Sequence, residues 1–203
     1  MQTKPKIVII VGPTAVGKTE LSLELAESFG GEIVSADSMQ VYRHLDIGTS
    51  KPTRAERDRV AHHLIDIVDP GEGFSAARFD RMASGVIGNL SGGKTAFVVG
   101  GTGLYVRALT GGIIEGPDEE RGRRYRETLE GESLEELRGR LMERDPDAAA
   151  RIHPRDRVRI VRALETAVLT GERISEKQRR HGFRDVRYEA LKIGLYRDRE
   201  EIR

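Results

Sequence analysis

The sequence predicts an α/β protein in which helices flank a parallel sheet and an all-helical insertion lobe interrupts the chain. Over residues 1–114, short apolar runs such as 6–11 and 95–99 alternate with longer helical patterns. This alternation is typical of a parallel sheet with helices on both faces. Residues 115–187 show helix start signals without a convincing strand, and residues 188–203 return to the sheet with a strand at 190–196 and the start of a helix.

Composition limits the class of protein. The chain has 203 residues, of which 37% are apolar, 33% are charged and none is cysteine. Disulfides, a cysteine nucleophile and thiolate metal sites are therefore excluded. The longest apolar run, 7–11, is far too short to cross a bilayer. We expect a cytoplasmic monomer that makes no contact with membranes.

The formal net charge of +1 conceals an uneven distribution. Residues 1–114 are neutral, residues 115–150 carry a net charge of −5, and residues 151–187 carry +6. A basic segment of this kind indicates an anionic partner that docks on one part of the chain only. Charged outer faces of solvated helices are the alternative interpretation.

The most specific motif is a glycine-rich loop, GPTAVGKT, between the first strand and the first helix. It consists of Gly12, Pro13, Thr14, Ala15, Val16, Gly17, Lys18 and Thr19. In such a loop the backbone N–H groups point at phosphate oxygens, the lysine reaches the phosphates and the threonine hydroxyl ligates Mg²⁺. The motif, known from ATP-binding and other nucleotide-binding proteins, predicts a P-loop NTPase-like fold, a bound phosphate or diphosphate, and Mg²⁺ as cofactor.

Asp37 follows the second predicted strand, 32–36. Open α/β sheets bind ligands at the carboxyl ends of their strands, so we expect this carboxylate to face the phosphate pocket. There it could accept a proton from an acceptor substrate. A helix cap or a structural partner for Arg43 is the alternative.

The strand at 95–99 ends in a glycine turn that contains Thr102. In many P-loop NTPases a strand of this sheet ends in an aspartate that binds Mg²⁺. The glycine turn therefore argues against a hydrolytic motor or switch, and argues less strongly against a small-molecule kinase.

Two further groups of residues invite functional interpretations. His62 and His63 lie on a predicted strand, 62–70, and adjacent strand residues point to opposite faces, so packing and hydrogen bonding are favoured over metal binding. Arg155, Arg159 and Arg162 recur at helical spacing. They could bind the phosphates of a nucleic acid, or they could form a salt-bridged solvated face.

Taken together, five blocks of the sequence resemble the tRNA dimethylallyltransferases, also called tRNA isopentenyltransferases. The blocks are GPTAVGKT at 12–19, DSMQVYRHLDIGTSKP at 37–52, HHLIDIVDP at 62–70, VVGGTGLYVRAL at 98–109 and RDPDAAARIHPRDRVRIVRALE at 144–165. The resemblance runs from about residue 5 to residue 196. It implies that the P-loop holds the diphosphate of dimethylallyl diphosphate rather than ATP. It also implies transfer of the five-carbon group to N6 of the adenosine 3′ to the anticodon.

The resemblance also implies roles for individual residues. Asp37 would take the proton of the adenine amine, and Thr102 would lie in the channel where nucleotide and prenyl donor meet. The remaining implied contacts are Ser38, Met39 and Gln40 beside the adenine, Arg124, Arg159 and Arg162 on the anticodon stem-loop, and Arg199 on the diphosphate. Family members continue past the last strand with further helices, which this sequence lacks.

Three alternative functions remain. An adenylate isopentenyltransferase would prenylate free AMP, ADP or ATP, but a mononucleotide needs no long helical lobe. A small-molecule kinase would share the P-loop and Asp37 and would bind ATP. A non-catalytic RNA-binding module would not need Lys18, Thr19 and Asp37 together.

Overall fold

The computed structural model describes residues 4–114, 116–182, 184–198 and 200. Its strands are β1 (Lys6–Val11), β2 (Gly31–Ser35), β3 (His62–His63), β4 (Thr95–Gly100) and β5 (Glu189–Gly194). Its helices are α1 (Lys18–Ser28), α2 (Arg54–Arg59), α3 (Ala76–Leu90), α4 (Gly103–Gly111), α5 (Glu119–Thr128), α6 (Leu134–Arg144), α7 (Pro146–Arg151), α8 (Arg157–Thr170) and α9 (Ile174–His181).

The five strands form one parallel sheet in the order β3-β2-β4-β1-β5. The predicted fold class, a parallel sheet flanked by helices with a helical insertion, is confirmed. β1 lies between β4 and β5, so that Ile9 pairs with Val98 on one side and with Lys192 on the other. The carboxyl ends of β1, β2 and β4 consequently meet at the same edge of the sheet, where the P-loop and Asp37 follow.

Alternate residues of the central strands pack against helices on opposite faces of the sheet. Ile9 belongs to a buried cluster with Phe79 of α3 and Tyr105 of α4. Its neighbour Ile10 belongs to a second buried cluster with Leu23 of α1. The β-branched runs seen in the sequence are therefore the buried middle layer of a three-layer unit.

The chain divides into two compact units. The first contains Met1–Ile113 and Phe183–Arg203, and the second contains Ile114–Gly182. The sequence placed the end of the insertion at residue 187, which is five residues too late. Arg187 donates hydrogen bonds to Asp80 and to the carbonyls of Ala108 and Leu109, which ties its segment to the first unit.

The predicted strand at 62–70 is mostly wrong. Only His62 and His63 pair with β2. Leu64 and Asp66 have φ angles of 62° and 56°, a left-handed conformation that interrupts an extended ladder. The chain therefore turns after β3 and returns only at Val68, where it forms an isolated bridge with Tyr42.

The second unit has its own apolar core and well-capped helices. Leu141 of α6 and Ile160 of α8 are fully buried in this core. The predicted capping box is present, because Ser133 accepts from the backbone of Glu136, which in turn reaches back to Ser133. Arg155 precedes α8, so the prediction that it shares a helical face with the other two arginines is wrong.

No helix in the described part of the chain combines the length and apolarity that crossing a bilayer requires.

Candidate active site

The P-loop turns sharply between β1 and α1. Ala15 and Gly17 have φ angles of 65° and 96°, and such left-handed positions are easiest for glycine. A Cβ on Gly12 would lie 2.7 Å from the carbonyl oxygen of Leu195, so only glycine fits where the loop passes the chain that follows β5. Gly17 is the N-cap of α1, and no side chain caps this helix. The first N–H groups of α1 are thus available to an anion.

Lys18 and Thr19 occupy the first turn of α1. The Lys18 ammonium donates to the carbonyl oxygen of Pro13 at 2.6 Å, which holds it over the loop. Burial lowers the pKa of Lys18, and the Asp37 carboxylate opposes this shift in part. Lys18 and Asp37 line the same cleft.

Asp37 lies just past β2 and stabilises the turn that follows. Its Oδ1 accepts hydrogen bonds from the backbone N–H groups of Met39 at 2.8 Å and Gln40 at 3.4 Å. The alternative in which Asp37 pairs with Arg43 is wrong, because that arginine pairs with Asp69 at 3.0 Å. One carboxylate oxygen is thereby fixed, and Oδ2 has no hydrogen-bond partner among the described residues.

Thr102 joins the ends of β2 and β4. The Thr102 N–H donates to the carbonyl of Ala36 at 3.2 Å, and its Oγ1 accepts from the N–H of Ser38 at 3.0 Å. A Cβ on Gly100 would lie 2.2 Å from the Ala36 carbonyl oxygen, so glycine is required for this close approach. The glycine turn after β4 therefore places Thr102 directly beside the segment that carries Asp37.

Gln40 connects the site to a neighbouring loop. Its Oε1 accepts from Ser35 at 2.9 Å, and its Nε2 donates to the carbonyls of Thr49 at 3.2 Å and Ser50 at 3.0 Å. The Gln40 amide is thus fully engaged within the protein. Met39, by contrast, leaves 48% of its surface exposed.

One cleft of about 590 Å³ contains both the P-loop and Asp37. This volume is in the range of small-molecule sites. Of the predicted site residues, it is lined by Thr14, Ala15, Gly17, Lys18, Thr19, Asp37 and Gln40. Its remaining lining includes Ile33, Val99 and Leu23, which provide an apolar floor, and Glu56, Arg59 and His62.

The last three residues were not identified as site residues from the sequence. Glu56 and Arg59 belong to α2, which directly precedes β3 in the chain, and β3 pairs with β2 at this side of the sheet. The Nδ1 of His62 lies 2.8 Å from the carbonyl oxygen of Val60, and burial lowers the pKa of this histidine, so the ring is neutral at pH 7. No group of three potential metal-ligating His, Cys, Asp or Glu side chains occurs in the described part of the chain.

Comparisons with known proteins identify the family. The protein-family model described as "IPP transferase" matches residues 40–203. The chain belongs to the IPP transferase family.

The similar proteins include curated relatives and solved structures. tRNA dimethylallyltransferase 2 of Geotalea uraniireducens is 54% identical over 204 residues, which cover 99% of this chain and 66% of the relative. The tRNA dimethylallyltransferase of Geobacter metallireducens is 53% identical and is covered to 65%. The chain therefore spans about two thirds of the length of the curated relatives that it matches.

Two solved structures extend this comparison. The full-length tRNA isopentenylpyrophosphate transferase of Bacillus halodurans is 43% identical with a TM-score of 0.61, covering 98% of this chain and 62% of that one. The structure of a eukaryotic dimethylallyltransferase acting on tRNA is 32% identical with a TM-score of 0.83, covering 96% of this chain and 49% of that one.

The family resemblance assigned a diphosphate contact to Arg199, which lies outside the described residues. Among the described residues, Arg197, which no sequence motif singles out, lies close to the P-loop. Its Nη2 is 3.7 Å from the position that a Cβ on Gly17 would occupy. The sequence signal that could have identified Arg197 is its position shortly after β5. The backbone of Leu195, two residues earlier, lies beside Gly12 of the P-loop.

The three arginines assigned to the anticodon stem-loop lie on the helical unit. Arg124 is on α5, and Arg159 and Arg162 are on α8, with 71%, 75% and 51% of their side chains exposed. Each forms an ion pair with a carboxylate of its own helix or of that helix's cap. The pairs of Arg124 and Arg159 are exposed and contribute little free energy, so these two guanidinium groups remain able to bind another anion. The carboxylate of Glu165, which Arg162 shares with Arg126, is buried instead.

Proposed function

We propose that this chain carries the catalytic centre of a tRNA dimethylallyltransferase. The reaction moves the dimethylallyl group from dimethylallyl diphosphate to N6 of the adenosine 3′ to the anticodon, and diphosphate leaves. The observation that carries the proposal is the cleft that contains both the P-loop and Asp37. An anion site and a carboxylate base in one cavity provide for the leaving group and the acceptor proton of such a transfer.

The P-loop accounts for the leaving group. As the bond between C1 of the prenyl group and the diphosphate oxygen breaks, its electron pair and negative charge pass to diphosphate. The free N–H groups at the start of α1 and the Lys18 ammonium stabilise that charge. Lys18 exchanges its bond to Pro13 for a phosphate oxygen, and Arg197 lies within reach of the same region.

Asp37 accounts for the acceptor. The adenine N6 forms the new bond to C1, and its proton passes to Oδ2 of Asp37, since Oδ1 is held by the turn. The adenine has to leave its stack in the RNA loop to reach this carboxylate. Ser38 and Thr102 lie beside Asp37, where the Ser38 N–H donates to Oγ1 of Thr102, and the family resemblance assigns both to the adenine's approach.

The first turn of α1 fits a magnesium ion held jointly with the diphosphate. The Thr19 hydroxyl lines the cleft and has no hydrogen-bond partner among the described residues. Mg²⁺ is commonly held by one or two protein oxygens together with substrate phosphates. When bound there, the ion would neutralise charge on the diphosphate.

The helical unit would bind the anticodon stem-loop of the tRNA. Its segment 151–182 carries a net charge of +5, and Arg124, Arg159 and Arg162 are exposed on the unit. Phosphate contacts of this type position an RNA without reading its sequence. The monomeric state and the cytoplasmic location remain predictions.

The deciding experiment incubates radiolabelled dimethylallyl diphosphate with tRNA, with AMP and with buffer alone. We expect label in the tRNA, and none in a tRNA whose adenosine 3′ to the anticodon is replaced by guanosine. Label in AMP but not in tRNA would reject the proposal in favour of an adenylate isopentenyltransferase. Consumption of ATP without prenyl transfer would indicate a kinase, and tRNA binding without transfer would indicate an RNA-binding module.

A further inference from the structure

Lys51 is a buried lysine outside the cleft. Only 2% of its side chain is exposed. Its ammonium donates to the carbonyl of Tyr42 at 2.7 Å, to Oδ1 of Asp46 at 2.7 Å and to Oδ1 of Asp66 at 2.6 Å. All three donors of the ammonium are therefore satisfied by fixed acceptors.

These acceptors tie together a loop that lies outside the regular secondary structure and is held by side chains such as Gln40 and Thr49. Residues 43–52 form no strand ladder or helix, and His44, Gly48 and Ser50 have positive φ angles. The bonds of Lys51 to Tyr42 and Asp46 close this loop near its start. The Lys51 side chain thus anchors a loop whose backbone is held in neither a strand nor a helix.

Asp66 extends the same network to the segment that carries Asp37. Its carboxylate binds Lys51 through one oxygen and Arg57 through the other, at 2.6 and 2.8 Å. Its backbone N–H donates to the carbonyl of Gln40 at 3.1 Å. Burial alone would raise the pKa of Asp66, but Lys51 and Arg57 outweigh it and lower the pKa, so the carboxylate is charged at neutral pH.

Gln40 completes the connection to Asp37. Its side-chain amide donates to the carbonyls of Thr49 and Ser50 in the loop. Its backbone N–H donates to Oδ1 of Asp37. A loop displaced by the loss of Lys51 would disturb the bonds of Gln40 and, through its backbone N–H, one of the two hydrogen bonds that orient the Asp37 carboxylate.

We propose that Lys51 is a positioning residue for the transfer reaction, acting through the loop and Gln40 on the orientation of Asp37. The inference rests on the proposed function, in which Asp37 takes the acceptor proton. Lys51 does not line the cleft, whereas Thr49, Ser50 and Pro52 of its loop do. Because none of these residues belongs to the P-loop, we expect the removal of Lys51 to impair the chemical step more than diphosphate binding.

The first test replaces Lys51 with methionine, which keeps the length of the side chain without its charge. We expect kcat for transfer to tRNA to fall about 10- to 100-fold, because misplacement of a reacting group by about 1 Å has effects of this size. KM for dimethylallyl diphosphate and the Kd for tRNA should change less than about threefold, because the P-loop and the helical unit are untouched. Lys94→Met is the matched control, since Lys94 is an exposed lysine that also binds a carboxylate; it should transfer at the wild-type rate.

A double-mutant cycle shows whether Lys51 acts through Asp37. In an Asp37→Asn background, Lys51→Met should lower kcat by less than about twofold, because the group that it positions is already lost. A loss as large as in the wild-type background would overturn the inference. If Lys51→Met fails to fold, Asp46→Ala decides: it removes one acceptor at an exposed position, and an unchanged kcat would overturn the inference.

Chemical rescue separates the ammonium from general damage to the fold. The chain contains no cysteine, so Lys51→Cys can be alkylated with 2-bromoethylamine at a single site in denaturant and then refolded, which restores an ammonium at the length of lysine. We expect alkylation to recover most of the lost kcat, with no effect on the treated wild-type chain. Failure to recover activity in a correctly folded product would contradict the inference. A wild-type chain that transfers no prenyl group at all would instead reject the proposed function.

Discussion

At the scale of single residues, the two carboxylate oxygens of Asp37 have different roles: Oδ1 stabilises a turn, and Oδ2 is the proposed proton acceptor. Oδ1 accepts from the backbone of Met39 and Gln40, which fixes the conformation of the turn. Oδ2 faces no partner among the described residues. A residue that keeps the acceptor at Oδ1 but cannot take a proton therefore separates the two roles.

Asparagine at position 37 provides that separation. We expect Asp37→Asn to lower kcat for prenyl transfer about 10²- to 10⁴-fold, the usual contribution of a positioned base. The thermal midpoint and the Kd for tRNA should stay close to wild type, since the turn is preserved. Single-turnover transfer kinetics and a filter-binding titration measure the two effects. A loss of tRNA affinity in proportion to the loss of kcat would show that Asp37 serves binding instead.

Gly100 is a second residue whose identity the backbone dictates. A Cβ there would lie 2.2 Å from the Ala36 carbonyl oxygen, and neither backbone can move without separating β2 from β4. Gly85, in the exposed middle of α3, would have open space around an added Cβ, with no atom within 4 Å. The two glycines therefore respond to the same substitution in opposite directions.

We expect Gly100→Ala to lower the free energy of unfolding by about 1–3 kcal/mol or more, as overpacking does. Gly85→Ala should raise it by about 0.5–1 kcal/mol, because alanine is the better helix former. Urea denaturation followed by circular dichroism measures both. Equal stability of Gly100→Ala and wild type would mean that β2 and β4 do not approach as described.

The motifs of the site could be read from the sequence, but several of its contacts could not. The loop at 12–19 and Asp37 could be predicted, because the residues around them in the chain, the GPTAVGKT spacing and the strand at 32–36, indicate their roles. Lys51 and Arg197 carry none, since each acts through segments that only the fold brings near: Lys51 through Asp66, and Arg197 through Gly17.

At the scale of elements, Asp145 joins two helices of the second unit. It is fully buried and caps α7 by accepting at Oδ1 from the N–H of Ala148 at 3.0 Å. Its Oδ2 accepts from the N–H of Ser175, in the first turn of α9, at 2.9 Å. Burial alone would raise the pKa of Asp145, but the hydrogen bonds from Ser175 and Ala148 outweigh it and lower the pKa.

This lowered pKa predicts a pH dependence of stability. The stabilisation by Asp145 is present above the unfolded-state pKa of about 3.9, and it is lost as the pH falls through the lower folded-state pKa. Asp145→Asn should cost about 1–3 kcal/mol at pH 7 and should flatten the loss of stability on acidification. Unfolding free energies at pH 7, 5 and 3 measure this.

Asp147→Asn is the matched control for that series. Asp147 is an exposed carboxylate on the same helix, paired with Arg179 at the surface. It should change the free energy of unfolding by less than about 0.5 kcal/mol. An Asp145→Asn variant with the same acid dependence as wild type would contradict the buried charge.

The helices and turns that could be predicted are those marked by residues close to them in the sequence. Ser133 and Asp156 fix the starts of α6 and α8 through bonds to residues three positions on, and such caps are visible in sequence. The turn at Leu64 and Asp66 could not be predicted from the sequence, because a leucine and a single aspartate do not by themselves indicate a left-handed conformation. The burial of Glu165 beneath Gly122 was missed as well, since it depends on how α5 packs on α8.

At the scale of the whole molecule, the charge is segregated between the parts of the chain. The neutral residues 1–114 contain the cleft, whereas the helical unit contains an acidic segment, 115–150, of net charge −5 and a basic segment, 151–182, of net charge +5. A long polyanion would therefore be bound chiefly through α8 and α9, which carry the basic segment.

The double variant Arg159→Ala with Arg162→Ala tests this. We expect weaker tRNA binding and a slope of log Kd against log salt that falls by about one for each RNA phosphate that is no longer bound. Arg123→Ala, an exposed arginine paired within α5, should leave that slope unchanged. If the double variant keeps the wild-type slope, the two arginines do not contact RNA.

The register of β1 has a consequence for how the protein is made. Ile7 pairs with Ala96 on one side and with Ala190 on the other, so almost the whole chain separates it from its second neighbour. Contacts between such distant residues slow folding. During synthesis, β1 has to wait with one edge unpaired until the helical unit has left the ribosome and β5 follows. The helical unit, whose contacts are local, can be complete before the sheet that carries the P-loop is closed.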